Sequence, residues 1–233
     1  MKILQYNVFG VPFGSFNIKQ RHKNICVNLK ELIKSVDVIV LCEVFTDFSR
    51  DLFTNFFREN NWNSVASHST NSFFTISGGL MVASKYNFEH SEHTTFENCK
   101  FIDCLAFKGC LSVILNFEGK YVNVIATHMQ DETWDKDGLC RQKQVDAIAE
   151  NISDMPTVVI GDFNIRMNSQ LFQYAKKILG PFHTSPGETH AEGALDYAFF
   201  RNAHVCDCTV TQFYNSKGKP LSDHKAVITT LII

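Results

Sequence analysis

Short apolar runs rich in Val, Ile and Phe recur along this chain, separated by polar segments and by a few stretches of helical spacing. "VDVIVL" and "TVVIG" are apolar at nearly every position, which suits strands covered on both faces, whereas "KYVNVIAT" partly alternates. Strands are expected over 2–8, 36–42, 72–76, 79–84, 103–107, 110–117, 120–127, 157–162, 195–200, 204–213 and 225–232. Glu118 and Gly119 in "NFEGKYV" predict a hairpin between two of them. Helical spacing appears four times. It joins Ile25, Leu29, Leu32 and Ile33; Phe48, Leu52 and Phe56, with Thr46 as cap; Val145, Ile148 and Ile152; and Leu171, Phe172, Ala175, Ile178 and Leu179, stopped at Gly180 and Pro181. The pattern implies packed sheets with helices outside. Neither a repeat nor a low-complexity linker interrupts it, so one domain over residues 1–233 is expected.

Composition adds few restrictions. With 45% hydrophobic residues, 21 of the 233 residues being Phe, the chain can bury a large core. The 22 basic and 24 acidic residues leave a formal charge of -2, without the basic tail or stripe that marks strong polyanion binding. The eight cysteines form no CxxC pair and are expected to be mostly free thiols. No stretch of about 18 consecutive apolar residues predicts a membrane span, and "MKILQYNVFG" runs straight into a strand pattern. A soluble, cytoplasmic monomer is the expectation.

The chemistry lies where strands end. Asn7 closes the first strand, Glu43 follows "VDVIVLC", His128 follows "YVNVIAT", and Asp162 and Asn164 follow "TVVIG". Asp223 and His224 precede their strand, so they join the same rim if it runs antiparallel to the others; Asp196 sits inside "ALDYAFF". Any one of these is an ordinary turn or cap residue. Together they are the residue types of a metal-assisted phosphate site. Mg²⁺ takes oxygen ligands, keeps several waters and needs only one or two protein carboxylates. Glu43 suffices as anchor, with Asn7 and Asp223 auxiliary; histidine manages protons near neutrality.

"LQYNV", "VIVLCEVF", "IATHMQ", "VVIGDFN", "ALDYAFF" and "LSDHKAV" occur in this order across nearly the whole chain. They resemble the endonuclease/exonuclease/phosphatase superfamily of metal-dependent phosphoesterases. That resemblance implies a four-layered α/β sandwich, with two packed, mainly antiparallel sheets flanked by helices. "SGGLMVASKY", "FKGC" and "THMQ" further resemble neutral sphingomyelinases and their bacterial phospholipase C relatives. The resemblance implies Mg²⁺-dependent hydrolysis of a phosphodiester, with Mn²⁺ or another divalent cation as substitute and phospholipid favoured over nucleic acid. By the same resemblance Glu43 is the metal ligand, with Asn7 close to metal and phosphate and Asp223 tuning the metal and its waters. Asp162 orients the attacking water, Asn164 holds a phosphoryl oxygen, His224 is the general base and Asp196 orients it. His128 contacts the phosphate or protonates the leaving group.

Two departures stand out: Cys42 occupies the place of a supporting Gln, and "AEG" before "LDYAFF" leaves no room for a membrane-inserting aromatic hairpin. Lys108 of "FKGC" is a phosphate partner or a solvated surface charge. The run 129–138, with Asp131, Glu132, Asp135, Asp137 and Trp134, predicts a rim loop rather than an EF-hand. Arg141 and Gln142 are expected to do no more than begin a helix, and Phe13 and Phe16 to pack locally. The alternative function is a Mg²⁺-dependent deoxyribonuclease or abasic-site nuclease. A phosphoinositide phosphatase fits less well, since "ALDYAFF" stands where that branch carries Trp-Cys-Asp-Arg. A decayed binding module requires a missing essential residue, and none is missing.

Overall fold

The computed structural model describes residues 1–12, 17–68, 76–183 and 187–233. Phe13, Phe16 and all but Ile76 of the expected strand 72–76 lie outside the described residues. In chain order the elements are β1 (Lys2–Asn7), α1 (Ile18–Leu32), β2 (Val38–Cys42), α2 (Asp47–Glu59), β3 (Asn63–Ala66) and β4 (Met81–Ser84). Then come β5 (Phe88–Thr95), β6 (Gly109–Phe117), β7 (Lys120–His128), α3 (Leu139–Ala149), β8 (Thr157–Asp162) and α4 (Gln170–Leu179). The chain closes with β9 (Phe182–His183), β10 (Asp196–Arg201), β11 (His204–Thr211) and β12 (Ala226–Ile232).

The strands form two six-stranded sheets, ordered β11-β12-β1-β2-β4-β3 and β5-β6-β7-β8-β10-β9. Among the described residues each holds a single parallel pair, β1 with β2 in one and β7 with β8 in the other, among antiparallel neighbours. The alternation within β2 shows how the layers arise. Val38, Val40 and Cys42 face the core between the sheets with Leu111, Val113, Val124, Val158 and Ile160. Ile39 and Leu41 face the other way, onto Ile25 and Leu29 of α1 and Phe53 and Phe57 of α2. On the second sheet Ile125, Val159 and Phe199 meet Val145 and Ile148 of α3 and Phe172 and Ala175 of α4. The result is the four-layered α/β sandwich. Each fully buried aliphatic or Phe side chain contributes about 1.5–3 kcal/mol.

Local signals act as expected at several points. Thr46 Oγ1 accepts from the Ser49 N–H at 3.1 Å and starts α2. Gly180, at φ 112°, ends α4. Glu118 and Gly119 both take positive φ, the backbone of the tight turn joining β6 and β7. Elsewhere the expectations need correction. Residues 103–107 are not a strand: a 3-10 turn covers Phe101–Leu105 and overlaps the loop closed by a disulfide between Cys99 and Cys104. Cys26, Cys42, Cys110, Cys140, Cys206 and Cys208 carry free thiols, as expected for most of the eight, and Cys99 and Cys104 are the bonded pair. β3, β5 and β9 are further strands. β5 reads "FEHSEHTT" and is mostly exposed, an edge strand whose polar side chains hide it from an apolar pattern and discourage edge pairing. No helix among the described residues is long and apolar enough to cross a membrane.

Candidate active site

The two parallel pairs aim their C-terminal ends at one place. Asn7 ends β1 and pairs in register with Cys42 of β2, just before Glu43. His128 ends β7 opposite Asp162 of β8, and Asp162 is in turn opposite Asp196, the first residue of antiparallel β10. Because β12 runs antiparallel to β1, Ser222, Asp223 and His224 before it reach the same end. Two glycines permit the close approach. A Cβ on Gly10 would lie 1.9 Å from the Glu43 carbonyl oxygen, and one on Gly161 would lie 1.9 Å from that of Thr127.

Asn7 binds the halves together. Its Nδ2 donates to Glu43 Oε1 and to Asp162 Oδ2, each at 3.0 Å, and its Oδ1 accepts from the Phe9 N–H at 3.0 Å. Asp162 Oδ1 accepts from the Asn164 N–H at 3.1 Å. Asn164, with φ 50°, turns the chain there and donates from Nδ2 to the Met129 carbonyl at 3.1 Å. His224 Nδ1 donates to Asp196 Oδ2 at 2.9 Å, while its Nε2 lies 3.5 Å from Asp162 Oδ2. Gln5 Nε2 donates to Asp196 Oδ1 at 2.8 Å, so the orienting carboxylate is itself held. His128 Nε2 lies 3.7 Å from Asp162 Oδ2 and 3.4 Å from Lys108 Nζ. Lys108 is buried rather than a solvated surface charge, and its Nζ reaches Asp103 Oδ1 at 2.9 Å and the Met129 carbonyl at 3.0 Å.

Asp223 is exposed at the edge of the cleft and accepts from Ser222 Oγ at 3.2 Å. Its carboxylate lies near the ring nitrogens of His190 and His224, and the His190 and His224 ring centroids are 4.7 Å apart. Cys42 is buried, its thiol directed to the Thr127 carbonyl. The chain before β10 makes a tight turn, bridged between His190 and Gly193.

Burial and charge set the proton affinities. Burial raises the Glu43 carboxyl to about 7, against the Asn7 hydrogen bond and the Lys108 charge. Burial also raises Asp162, with His224 pulling the other way. For His224, burial favours the neutral ring, but the Asp196 and Asp162 carboxylates outweigh it and raise its affinity for a proton. His128 is pushed well below its ordinary range by burial, then by Lys108 and His224, so it is a neutral ring. These groups face a cleft of about 790 Å³ whose wall also carries Phe9, Phe45, Ile102, Leu105 and Trp134.

Glu43 fits a hard cation on one further observation. Among the described residues its Oε2 is buried without a hydrogen-bond partner, beside an Oε1 already fixed by Asn7. An orphaned carboxylate oxygen in a polar cleft is a ligand position for Mg²⁺. Four contributors were not visible in the sequence: Gln5, Asp103, Arg141 and His190. Arg141 corrects the expectation that it only begins a helix. It is buried, pairs through Nε with Asp135 Oδ2 at 3.2 Å, and donates to the Asn164 carbonyl. It thereby ties the rim loop 129–138 to the turn after β8.

Comparisons with known proteins agree with this fold. A sequence profile described as the Endonuclease/Exonuclease/phosphatase family matches residues 4–224. Sphingomyelinase C 2 of Leptospira interrogans (serogroup Icterohaemorrhagiae, serovar Lai, strain 56601) is 28% identical over 193 residues. That match covers 71% of this chain but 30% of the relative, so the chain spans less than a third of that protein. A Staphylococcus aureus beta toxin solved with bound magnesium ions superposes at TM-score 0.80 and 21% identity, over 98% of both chains. A D. rerio TDP2 complexed with a single-strand DNA product superposes at TM-score 0.76 and 15% identity, over 100% of this chain and 99% of that one.

Proposed function

The chain belongs to the endonuclease/exonuclease/phosphatase family, and from that premise we propose that it is a Mg²⁺-dependent phosphodiesterase of sphingomyelinase type, hydrolysing a phospholipid diester by direct attack of water. The observation that carries this reading is Glu43: a buried carboxylate with one free oxygen, joined through Asn7 to Asp162 and the His224–Asp196 pair. Glu43 would hold Mg²⁺, with Asn7 bracing its other oxygen and Asp223 standing at the edge of the cleft. Bound there, Mg²⁺ supplies charge neutralisation at the phosphoryl and leaving oxygens.

The side chains divide the remaining work. Asp162, fixed by Asn7 and the Asn164 N–H, orients the attacking water. With the cation's charge offsetting the carboxylates that otherwise keep its ring protonated, His224 would take that water's proton on Nε2, and the imidazolium lies between Asp196 and Asp162, whose charges stabilise it. As the new P–O bond forms, the bond to the leaving oxygen breaks in line with it; that oxygen leaves with the electron pair and takes a proton from solvent to become the alcohol, and no covalent enzyme intermediate is needed. Asn164 Nδ2 and Lys108 Nζ donate to phosphoryl oxygens. His128, neutral beside Lys108, donates a hydrogen bond toward the phosphate or the leaving oxygen.

The phospholipid assignment rests on the relationship to Sphingomyelinase C 2 and on the apolar wall of the cleft. Purified chain is given sphingomyelin micelles and supercoiled plasmid, each with and without Mg²⁺, with His224→Ala as blank. Release of phosphocholine by the wild type alone supports the assignment. Plasmid nicking without phosphocholine release would move the substrate to nucleic acid, and inactivity toward both would remove the assignment.

A further inference from the structure

We propose that Phe101, Ile102, Leu105 and Trp134 form a docking surface for a zwitterionic phospholipid bilayer, setting the mouth of the cleft over the lipid head groups. The proposal rests on the phospholipid reading above and adds how the chain reaches such a substrate with only the tight His190–Gly193 turn before β10 and no membrane-inserting hairpin among the described residues.

These side chains are large, apolar and turned to solvent, at 69%, 63%, 51% and 40% exposure respectively. They come from two segments, the 3-10 turn Phe101–Leu105 and the short turn Glu132–Trp134, and the Phe101 and Trp134 rings meet at 4.9 Å. The first segment is held from within. The Cys99–Cys104 disulfide closes it, and Asp103 Oδ2 accepts from Gln130 Nε2 at 2.7 Å and from the Asp131 N–H at 2.8 Å. Its polar residue is thus anchored inward while its apolar residues face out. Folding alone gives no reason to expose them, and a contiguous apolar patch of this kind marks an interaction surface.

Three observations choose the occupant. Ile102, Leu105 and Trp134 also line the cleft, so the patch continues into the space that faces Glu43, Lys108 and His128. A substrate with its phosphodiester at the floor and an apolar body leading outward would follow that wall. Next, the nearby cations are neutralised. Lys100 pairs with Asp135 and Asp137, Lys108 with Asp103, and Arg166 with Glu132 and Glu192, while Lys136 stands in a loop with Asp131, Glu132, Asp135 and Asp137. An anionic bilayer or a nucleic-acid backbone would meet carboxylates there, whereas zwitterionic lipid would not be repelled. Lastly, a stable protein interface takes about 800 Å² from each partner and roughly 20 or more residues. A few aromatic and aliphatic side chains fall short of that, yet they suffice to insert at head-group depth, where Trp is favoured.

Trp134 provides the readout, because Trp62, the other tryptophan, is buried. Chain in EDTA is mixed with vesicles of phosphatidylcholine and sphingomyelin, then followed by tryptophan fluorescence and co-sedimentation. We expect a blue shift and sedimentation with the vesicles. Trp134→Phe removes the shift while leaving sedimentation measurable. Phe101→Ser weakens vesicle binding about 10-fold, the effect of exposing one aromatic ring to water. It leaves thermal unfolding and hydrolysis of soluble bis(4-nitrophenyl) phosphate unchanged. The proposal is overturned by absence of sedimentation, by binding that requires anionic lipid, or by equal binding of Phe101→Ser. It is also overturned if Phe101→Ser abolishes a concentration-dependent dimer of the wild type, which would assign the patch to a second copy. Loss of the soluble activity in the wild type would instead sink the catalytic reading, and the vesicle measurements would still decide the docking.

Discussion

At the floor of the cleft Asn7, Glu43, His128, Asp162 and His224 are buried at strand ends and held by one another, whereas the rim beside them exposes Phe101, Ile102, Leu105 and Trp134 on short turns. The floor inherits its positions from sheet register: Asn7 beside Cys42, His128 beside Asp162, Asp162 beside Asp196. The rim is placed by local devices, a disulfide, Asp103 and the Arg141–Asp135 pair. The difference teaches that chemistry and substrate access are separable here. The same floor would serve any phosphodiester; in the proposed reading the rim would select which one arrives.

The comparison breaks first at the floor. Replacing Asp196 by Asn leaves Gln5 and His224 without their shared carboxylate, and His224→Ala removes the proposed proton acceptor. Each is expected to lower kcat about 10²–10⁴-fold, the usual span for a general base, while thermal unfolding stays cooperative. If Asp196→Asn retained full turnover, the assigned orientation of His224 would be wrong.

A smaller effect is expected where floor and rim join. Arg141→Met takes the guanidinium away from buried Asp135, leaving it Lys100 and the Cys140 and Arg141 backbone N–H groups, and is expected to destabilise the fold by about 1–3 kcal/mol in urea unfolding. Asn164 loses the donor on its carbonyl, so turnover falls as well. A variant with unchanged stability would show that the two regions are held by other contacts.

Acid titration probes the same joint more gently. Burial opposes ionisation of Asp135, but Lys100, the Arg141 and Cys140 N–H groups and the Arg141 side chain outweigh it and hold the carboxyl down to about 2. The folded state therefore binds that proton less readily than the unfolded chain does. The resulting stability is fully present above about pH 4 and lost as pH falls toward 2, on the order of 2 kcal/mol. The stability gap between wild type and Asp135→Asn is expected to narrow across that window. A gap that stays constant down to pH 2 would contradict this account of Asp135.

Least of all is expected from the rim in solution. Phe101→Ser removes an exposed ring, so stability is expected to stay within about 0.5 kcal/mol by denaturant titration. A larger loss would make Phe101 a packing residue and blur the separation of rim from floor.

The floor was legible because strand ends carry residue types that cores do not need, and register then brings them together. Asp196 and His224 were expected to meet, and they do so at 2.9 Å. The layers were legible for a related reason, since runs such as "VDVIVL" require cover on both faces. What stayed hidden depends on direction and on local chemistry. Gln5 alternates within an apolar strand, and nothing in its spacing says that its amide meets Asp196. Arg141 looked like a helix start because its partners, Asp135 and Asn164, lie in loops. "DCLAF" has a strand's composition, but a disulfide between Cys99 and Cys104 closes the segment into a turn and leaves its apolar residues outside. β5 escaped because an exposed edge strand has no apolar face to announce it.

The central claim is that the unpartnered oxygen of Glu43 is where a divalent cation joins this floor, and Mg²⁺ titration of wild type and Glu43→Gln tests it most directly. Thermal unfolding and hydrolysis of bis(4-nitrophenyl) phosphate are read on the same samples. Mg²⁺ is expected to raise the Tm of the wild type as a ligand of the folded state does and to switch on hydrolysis. In Glu43→Gln the Mg²⁺-dependent rise in Tm disappears and turnover falls about 10³-fold or more, while the metal-free fold is as stable as before. An equal Mg²⁺ response in both proteins would contradict the account, because the cation would then be held elsewhere.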